Sequence, residues 1–224
     1  MHSVFIIPGY GIPKNILKDE HYNFYLKIVF NTIYRFVTEK QYTKPLIIPA
    51  GGRTDMYKPY RRTEAGEMMK VLRKLKSRRF VSQVTSDWEF APERKSISTL
   101  ENLLFSKDIL KKHNIKSADL YIFCEYTRGS RLKVIAKEIF GKQYKITVLP
   151  IDFDVSKLRY ADPGFLKKKE RVEINHTKWA LQSPENLKEH HKLFKKKITY
   201  LRTIEPRMHQ RAIKEWWESM MELQ

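Results

Sequence analysis

The apolar run Leu46–Ala50, followed directly by the segment Gly51–Thr54, constrains the fold more than any other part of the chain. A short apolar run bounded by turn residues is typical of a buried β-strand. Glycines behind such a strand let the backbone turn sharply and approach a ligand closely. Further along, Glu64 opens a helical pattern, and the free N–H groups and dipole at a helix N-terminus attract anions. The stretch therefore predicts a strand–loop–helix unit that binds an anion or a nucleotide.

Apolar segments alternate with helical patterns through the N-terminal part of the chain. Strands are predicted over Val4–Ile7, Leu46–Ala50, Phe80–Thr85, Asp119–Cys124 and Ile146–Pro150. The first two are separated by a long helical pattern, Asp19–Lys40, with apolar side chains on one face. Strands that alternate with helices imply an α/β domain with a mostly parallel sheet and helices on both faces. We therefore predict a five-stranded sheet and assign this domain to residues 1–154.

The C-terminal part of the chain has a different character. Residues 155–182 are polar and irregular in pattern, which predicts a long loop or lid. Ser183 as N-cap and Pro184 at the first helical position begin a helix, and Pro206 opens another. We expect this helical extension, residues 183–224, to pack on the domain. Alternatively, the Trp216–Trp217 pair and the methionines near it form a partner surface, such as the contact of a homodimer.

A formal net charge of +19 is the most unusual feature of the composition. Such a surface attracts nucleic acid, anionic lipid or phosphorylated ligands. The charge is spread along the chain and no motif for reading nucleic acid accompanies it, so nucleic acid is the less favoured partner. The longest apolar runs are too short to span a membrane, and the N-terminus lacks the pattern of a signal peptide. Together with the single Cys124, these features predict a cytoplasmic protein.

Unusual segments follow each predicted strand, where the carboxyl ends of parallel strands bind ligands. The glycines expose backbone N–H groups, the arginines offer planar forks for phosphate or carboxylate, and the hydroxyls and the amide can fix ligand hydroxyl groups. The candidate ligand-binding residues are Gly9, Gly11, Gly51, Gly52, Arg53, Thr54, Ser98, Thr99, Asn102, Thr127, Arg128 and Arg131. We therefore expect these residues to line one cleft that receives an anionic small molecule.

Three carboxylates near the same strand ends are candidate catalytic residues. Glu64, Glu101 and Asp152 could each accept a proton or bind a ribose. The spacing of Ser98 and Glu101 also fits a capping box, which would explain both without catalysis. Asp152, with Asp154, could instead hold a cation, cap a helix or pair with basic groups. No metal site is predicted, because the seven histidines are scattered along the chain.

Three of these motifs resemble a known family. They are the glycine pair followed by Glu64–Ala65, the Ser-x-x-Thr-x-Glu-Asn element at Ser96–Asn102, and the arginine-containing segment Arg128–Arg131. They resemble the YdcF/SanA/ElyC-like family, a domain of unknown function. The resemblance, over roughly residues 4–150, implies a three-layer Rossmann-like fold in which the motifs line one cleft. Members have been linked to envelope precursor metabolism and to S-adenosylmethionine binding, so S-adenosylmethionine is the implied candidate cofactor.

The chain departs from the family pattern behind its fourth predicted strand. Many members carry a histidine there, whereas this chain has Arg128 at or close to that position and Arg131 at the motif arginine. The change removes an acid–base group and favours the binding of an anion. We expect a protein that binds a nucleotide-like or phosphorylated small molecule, as a transferase or hydrolase if it is an enzyme. The alternatives are a nucleic-acid-binding protein and a non-catalytic ligand sensor.

Overall fold

The computed structural model describes residues 2–152 and 163–222 of the chain. Within them, one sheet contains the strands β1 (His2–Pro8), β2 (Leu46–Ala50), β3 (Glu89–Phe90), β4 (Ala118–Glu125) and β5 (Tyr144–Ile151). Their order across the sheet is β3–β2–β1–β4–β5, and every neighbouring pair is parallel. The predicted five-stranded parallel sheet is therefore confirmed. The strand order reverses at β1, so the carboxyl ends of β1 and β4 flank a crevice of the kind that binds ligands in such sheets.

Helices cover both faces of the sheet and continue the chain beyond it. They are α1 (Glu20–Glu39), α2 (Glu64–Lys76), α3 (Arg79–Ser82), α4 (Thr99–Lys112), α5 (Gly129–Phe140), α6 (Pro163–Ala180), α7 (Pro184–Thr203) and α8 (His209–Glu222). A 3-10 helix, Tyr126–Arg128, joins β4 to α5. The side chains of Asp19, Thr63, Ser98 and Ser183 cap the N-termini of α1, α2, α4 and α7. Each cap accepts a hydrogen bond from an N–H group that the helix itself leaves unpaired.

Alternating side chains of the central strand feed two separate cores. Phe5 and Ile7 pack with α1 and α2, whereas Val4 and Ile6 pack with α4 and α5. All four side chains are fully buried. Because successive side chains of a strand point to opposite faces, a strand that is apolar in both sets must be covered on both sides. The result is the three-layer, Rossmann-like α/β arrangement. None of the helices in the described ranges has the length and apolar character that a membrane crossing requires.

The predicted third strand, Phe80–Thr85, is wrong. Arg79–Ser82 form the short helix α3 instead, and the Phe80 side chain is 82% exposed. The edge strand lies further along the chain at Glu89–Phe90 and pairs with the start of β2. A strand of two residues with a charged side chain carries too little hydrophobic pattern to be recognised in the sequence.

The predicted loop or lid over residues 155–182 is also wrong where the structure describes it. Pro163–Ala180 form α6, and residues 155–162, like Asp154, lie outside the described ranges. The buried face of α6 has helical spacing, but polar side chains occupy much of it: Leu166, Glu170, Glu173, Thr177 and Ala180. A search for apolar periodicity therefore misses this face.

Arg131 of α5 holds α6 against the domain. Its Nε and Nη2 donate to the two carboxylate oxygens of Glu170 at 2.7 and 3.1 Å, and its Nη1 lies 2.6 Å from Glu173 Oε2. Lys169 Nζ also donates to Glu173 Oε2, at 2.6 Å. Burial opposes ionisation of Glu173, but the charges of Arg131 and Lys169 outweigh it and hold the pKa of Glu173 well below its usual range. The planar guanidinium fork matches carboxylates in this way, whereas a lysine cannot.

Replacement of Arg131 by methionine should destabilise the protein by about 3 kcal/mol, because removing one partner of a buried ion pair leaves an uncompensated charge. Urea denaturation followed by tryptophan fluorescence and far-UV circular dichroism measures this loss. Arg35→Met is the matched control, since it breaks the exposed Arg35–Glu39 pair and should change stability very little. Equal, small effects of both substitutions would contradict the structural role of Arg131.

Candidate functional site

A cavity of about 580 Å³ lies at the carboxyl ends of β1, β2 and β4. The segments behind these strands and the start of α4 form one side, and α6, α7 and α8 form the other. The predicted site residues that line it are Gly9, Gly11, Gly51, Thr54, Glu64, Ser98, Thr99, Asn102, Thr127, Arg128 and Arg131. The structure therefore brings segments that are far apart in the sequence together around one cavity. The ligand-binding roles of these residues stay predictions.

Glu64 presents a buried carboxylate to this cavity from the first turn of α2. Two glycines leave the space for it: a Cβ atom on Gly9 would lie 1.6 Å from Glu64 Oε2, and one on Gly51 would lie 2.5 Å from Glu64 Cβ. The turn behind β2 is fixed because the N–H groups of Glu64 and Ala65 donate to the carbonyls of Gly52 and Gly51 at 3.0 and 2.9 Å. Glycine at positions 9 and 51 is thus required by the close approach of Glu64.

The surroundings of Glu64 act on its proton affinity in two directions. Burial raises the pKa of Glu64, whereas a hydrogen bond from the Thr54 hydroxyl, the charge of Arg128 and the Gly11 N–H partly offset that increase. The dipole of α2 also favours the carboxylate, because Glu64 lies at the helix N-terminus. A carboxyl group with a raised pKa exchanges protons more readily near neutral pH. Glu64 therefore has an environment suited to proton transfer.

Arg128 provides a cation beside Glu64. Its Nη1 donates to the Gly9 carbonyl at 3.1 Å, and its guanidinium lies 4.6 Å from the ring centroid of Tyr10. Burial disfavours the charged form, but Tyr10 and nearby carboxylates outweigh burial and raise the pKa of Arg128. Within residues 2–152 and 163–222, no carboxylate forms an ion pair with this guanidinium. Arg128 is therefore a charged group whose donor capacity is only partly used by the residues that the structure describes.

Arg131 and Thr127 also line the cavity, but neighbouring carboxylates engage both. Two glutamates of α6 occupy the guanidinium fork of Arg131, so this residue has a packing role, and its ligand-binding role stays a prediction. The Thr127 hydroxyl donates to Glu125, which also accepts the Thr127 N–H at 2.8 Å. Glu125 is buried and lines the cavity, and sequence reasoning missed it although it stands at the end of β4.

The capping interpretation of Ser98 and Glu101 fits the structure, and the catalytic interpretation of Glu101 does not. Ser98 Oγ accepts the Glu101 N–H at 3.2 Å, and Glu101 Oε2 accepts the Ile97 N–H at 2.8 Å. The other oxygen of Glu101 lies 2.8 Å from His191 Nδ1 of α7. Glu101 is not among the residues that line the cavity. The prediction is therefore corrected: Glu101 ties the start of α4 to α7.

Two further histidines join α6 and α7 to the same helix start. His190 Nε2 lies 2.9 Å from Ser98 Oγ, and His190 Nδ1 lies 3.1 Å from His176 Nδ1. Burial lowers the pKa of His190 to about 3, with a contribution from His176, and burial also lowers the pKa of His176. Both rings are therefore neutral at neutral pH. The sequence shows His190 and His191 as neighbours and gives no sign that both contact the start of α4.

A polar network positions Asn102 at the edge of the cavity. The Ser96 hydroxyl lies between the carboxylate of Glu93 and the side-chain amide of Asn102 and bonds to both. Glu93 also accepts the N–H groups of Lys95 and Ser96, at 2.5 and 3.0 Å. This network holds the segment before α4 in place, so Asn102 reaches the cavity from a fixed backbone.

Besides Glu101, three predicted residues do not line the cavity. Gly52 lies behind it, where a Cβ atom would be 2.3 Å from the Ser96 carbonyl oxygen, so its glycine serves backbone packing. Arg53 is exposed, and its carbonyl accepts a hydrogen bond from Arg202 of α7 at 3.0 Å. Asp152 is exposed at the end of β5. The predicted roles of Gly52 and Arg53 in ligand binding and of Asp152 in catalysis are corrected accordingly, because none of them reaches the hollow.

Sequence reasoning missed the helical side of the cavity entirely. Lys169 of α6, Phe194 and Lys197 of α7, and Trp217 of α8 line it. In the sequence, Lys197 is the last of three consecutive lysines in a helix, a pattern typical of a solvated face. Trp217 is buried, and its ring contacts Lys169 of α6 and Phe194 and Lys197 of α7. A homodimer contact through these helices stays a prediction.

Comparisons of the chain with protein-family models, with curated proteins and with solved structures find no match. The resemblance to the YdcF/SanA/ElyC-like family therefore stays a prediction. Within residues 2–152 and 163–222, no group of three or more His, Cys, Asp and Glu side chains is arranged to hold a metal ion.

The buried His190 should make the protein acid-sensitive. Because the folded-state pKa lies below the ordinary value of 6.5, the stabilisation is complete above that value and is lost as the pH falls towards the folded pKa. We expect the free energy of unfolding to fall by about 2 kcal/mol from about pH 7 to about pH 5. Urea denaturation across this range measures the loss. His176, whose pKa burial also lowers, contributes in the same direction, and Glu173, whose pKa is lowered, adds to the loss only at more acidic pH.

His190→Gln removes the titrating group and keeps a polar partner for Ser98. This substitution should flatten the slope of stability against pH between neutral and mildly acidic solution. His21→Gln is the matched control, because His21 is exposed and its loss should leave the slope unchanged. The same slope in the wild type and in His190→Gln would show that the buried imidazole does not set the acid sensitivity.

Proposed function

We propose that the protein binds a nucleotide-like or phosphorylated small molecule in the cavity, in the manner expected of a YdcF-like domain. Arg128 binds the anionic group, and Glu64 serves as the proton-transfer group. The observation that carries the proposal is that Arg128, a charged guanidinium in the cavity, forms no ion pair with any described residue. Arginine presents several N–H donors in a plane, which matches phosphate and carboxylate oxygens.

The position of the cavity supports the same proposal. It lies at the carboxyl ends of the strands on both sides of β1, where the strand order reverses, and ligands of open parallel sheets bind at such points. Gly9, Gly11 and Gly51 bring the backbone to its surface. A volume of about 580 Å³ falls within the range of small-molecule sites. S-adenosylmethionine, the candidate that the family resemblance implies, belongs to the size class that such a site accommodates.

An enzymatic role rests on Glu64. Its carboxylate lies beside the anion-binding guanidinium, and burial raises its pKa. A group with these properties could take a proton from an attacking hydroxyl or return it to a leaving oxygen at the ligand's phosphate. The reaction class we propose is therefore transfer or hydrolysis at a phosphate ester, with Arg128 stabilising negative charge and Glu64 moving the proton.

Arg128→Met should abolish ligand-dependent stabilisation, because it removes the cation of the cavity. The test is a thermal-shift titration with AMP, ATP, S-adenosylmethionine, inorganic phosphate and pyrophosphate. The wild type should show a saturable increase in Tm with at least one of them. Arg53→Met is the matched control: it removes one positive charge from the loop behind β2 but lies outside the cavity, and it should leave the shift intact.

Loss of the shift in both variants would mean that general surface charge binds the ligand, and the proposal would fail. It would also fail if no compound of the panel stabilised the wild type. Circular dichroism of both variants separates a loss of binding from a loss of folding.

Glu64→Gln should separate binding from chemistry. Glutamine keeps the size of the side chain and an oxygen that accepts the Thr54 hydroxyl, but it cannot accept a proton at neutral pH. We expect ligand binding within about threefold of the wild type and turnover reduced by roughly 100-fold or more. Phosphorus NMR of the stabilising ligand, incubated with each protein, follows the turnover. Equal turnover in both proteins would remove Glu64 from the mechanism.

A further inference from the structure

Lys197 of α7 is a second cation in the cavity that forms no ion pair within the described ranges. Its Nζ lies 4.6 Å from the ring centroid of Trp217 and 5.7 Å from that of Phe194. Aromatic faces hold an ammonium group by their quadrupole but leave its N–H donors free for an anion. The rings of Phe194 on α7 and Trp217 on α8 thus hold Lys197 in place, and Lys197 lines the same cavity as Arg128.

Charged groups on several elements act on Lys197. They are Lys169 and Glu173 of α6, Arg128 of the 3-10 helix behind β4 and Arg131 of α5, while α8 faces Lys197 with the ring of Trp217. Lys169 and Arg131 are already paired with the two glutamates of α6. Burial and the like charges, opposed only by Glu173, lower the pKa of Lys197 to about 7. An anion placed beside this lysine would favour its charged form.

Trp217 holds two lysines in place with its ring. The residue is only 3% exposed, and Lys169 Nζ also lies over the ring, 5.1 Å from the centroid. Its indole Nε1 is buried away from the cavity surface. Trp217 therefore contributes the face of its ring, which fixes the position of the Lys197 ammonium group.

We propose that Lys197, held by the ring of Trp217, binds one side of a phosphate group whose other side is held by Arg128. The two cations come from α7 and from the segment behind β4 and line the same cavity. The oxygens of a phosphate point in several directions, so they can accept hydrogen bonds from both cations at once. This inference rests on the proposed function and narrows its ligand to a phosphate ester. The ligand would then join the C-terminal helices to the strand ends.

Binding of such an anion is coupled to the protonation of Lys197. Above neutral pH the lysine is largely neutral in the ligand-free protein, so it must take up a proton when the anion binds. Sulfate is the appropriate probe, because it is tetrahedral and keeps its charge across this range, whereas phosphate titrates. We expect the affinity of the wild type for sulfate to fall on the order of tenfold from about pH 6 to about pH 8.5.

Isothermal titration calorimetry with three variants tests the inference. Lys197→Met should bind sulfate roughly tenfold more weakly near pH 6 and show little dependence on pH. Lys197→Arg stays charged throughout and should keep its affinity at both pH values. Lys196→Met removes the exposed neighbour and should behave like the wild type. Every other titratable group of the cavity is present in all three variants, so a pH dependence that survives in Lys197→Arg would not belong to Lys197.

The outcomes separate this inference from the proposed function. If Lys197→Met keeps the sulfate affinity of the wild type while Arg128→Met loses it, the inference is overturned and the proposed function stands. If the wild type binds neither sulfate nor phosphate at either pH, the inference is overturned, and the thermal-shift panel decides the proposed function separately. The Lys197→Arg profile decides the question even where the methionine variant is too unstable to titrate, because a pH dependence equal to that of the wild type would rule out Lys197.

Discussion

The ion cluster around Arg131 is the interaction on which the cavity depends. Arg131 belongs to α5, a helix of the α/β domain, and its fork is filled by Glu170 and Glu173 of α6. Without α6 and the helices that pack on it, the cavity would lack one side and the strand ends would be exposed to solvent. Charged groups are costly to bury unless they are paired, so this cluster is stable only in one relative position of the two elements. This restriction makes the docking of the C-terminal helices specific. The docked helices then form the second side of the cavity.

The other side of the site is built by the close approach of α2 to the ends of β1 and β2. The Glu64 side chain occupies the space that side chains at positions 9 and 51 would fill. Arg128 Nη1 donates to the carbonyl of one of these glycines, Gly9, and its charge acts on the buried carboxylate of Glu64. The close approach of α2 and this hydrogen bond therefore bring a carboxylate and a cation to the same end of the sheet.

Four of the five described strands and most of the described helices could be predicted, because their patterns are local. Phe5 and Ile7 alternate with Val4 and Ile6, and caps such as Ser98 mark helix starts in the sequence itself. The helix α6 could not be predicted, because its buried face contains Glu170 and Glu173, whose partner Arg131 lies far away in the chain. The same difference between local sequence patterns and contacts of distant residues applies to the site. Glycines and hydroxyls behind strands predicted one wall, whereas Lys197 and Trp217 reach the other wall only through tertiary packing. Arg53 is an arginine, the residue type expected in an anion site, but its side chain is exposed outside the cavity. The sequence pattern could not show this position.

Under the proposed function, ligand binding and helix docking would be parts of one equilibrium, because the cavity has one side on the sheet and the other on the C-terminal helices. A ligand that contacts Arg128 on one side and Lys197 on the other binds only the docked arrangement, so it stabilises that arrangement by its own binding free energy. The Arg131 cluster and the contacts of α7 with the start of α4 already hold the helices in place without a ligand. The helices then lose little conformational freedom when a ligand binds, and a small entropy loss favours high affinity. Fold alone does not determine chemistry, and here the residues that would distinguish one ligand from another come from the helices added to the sheet.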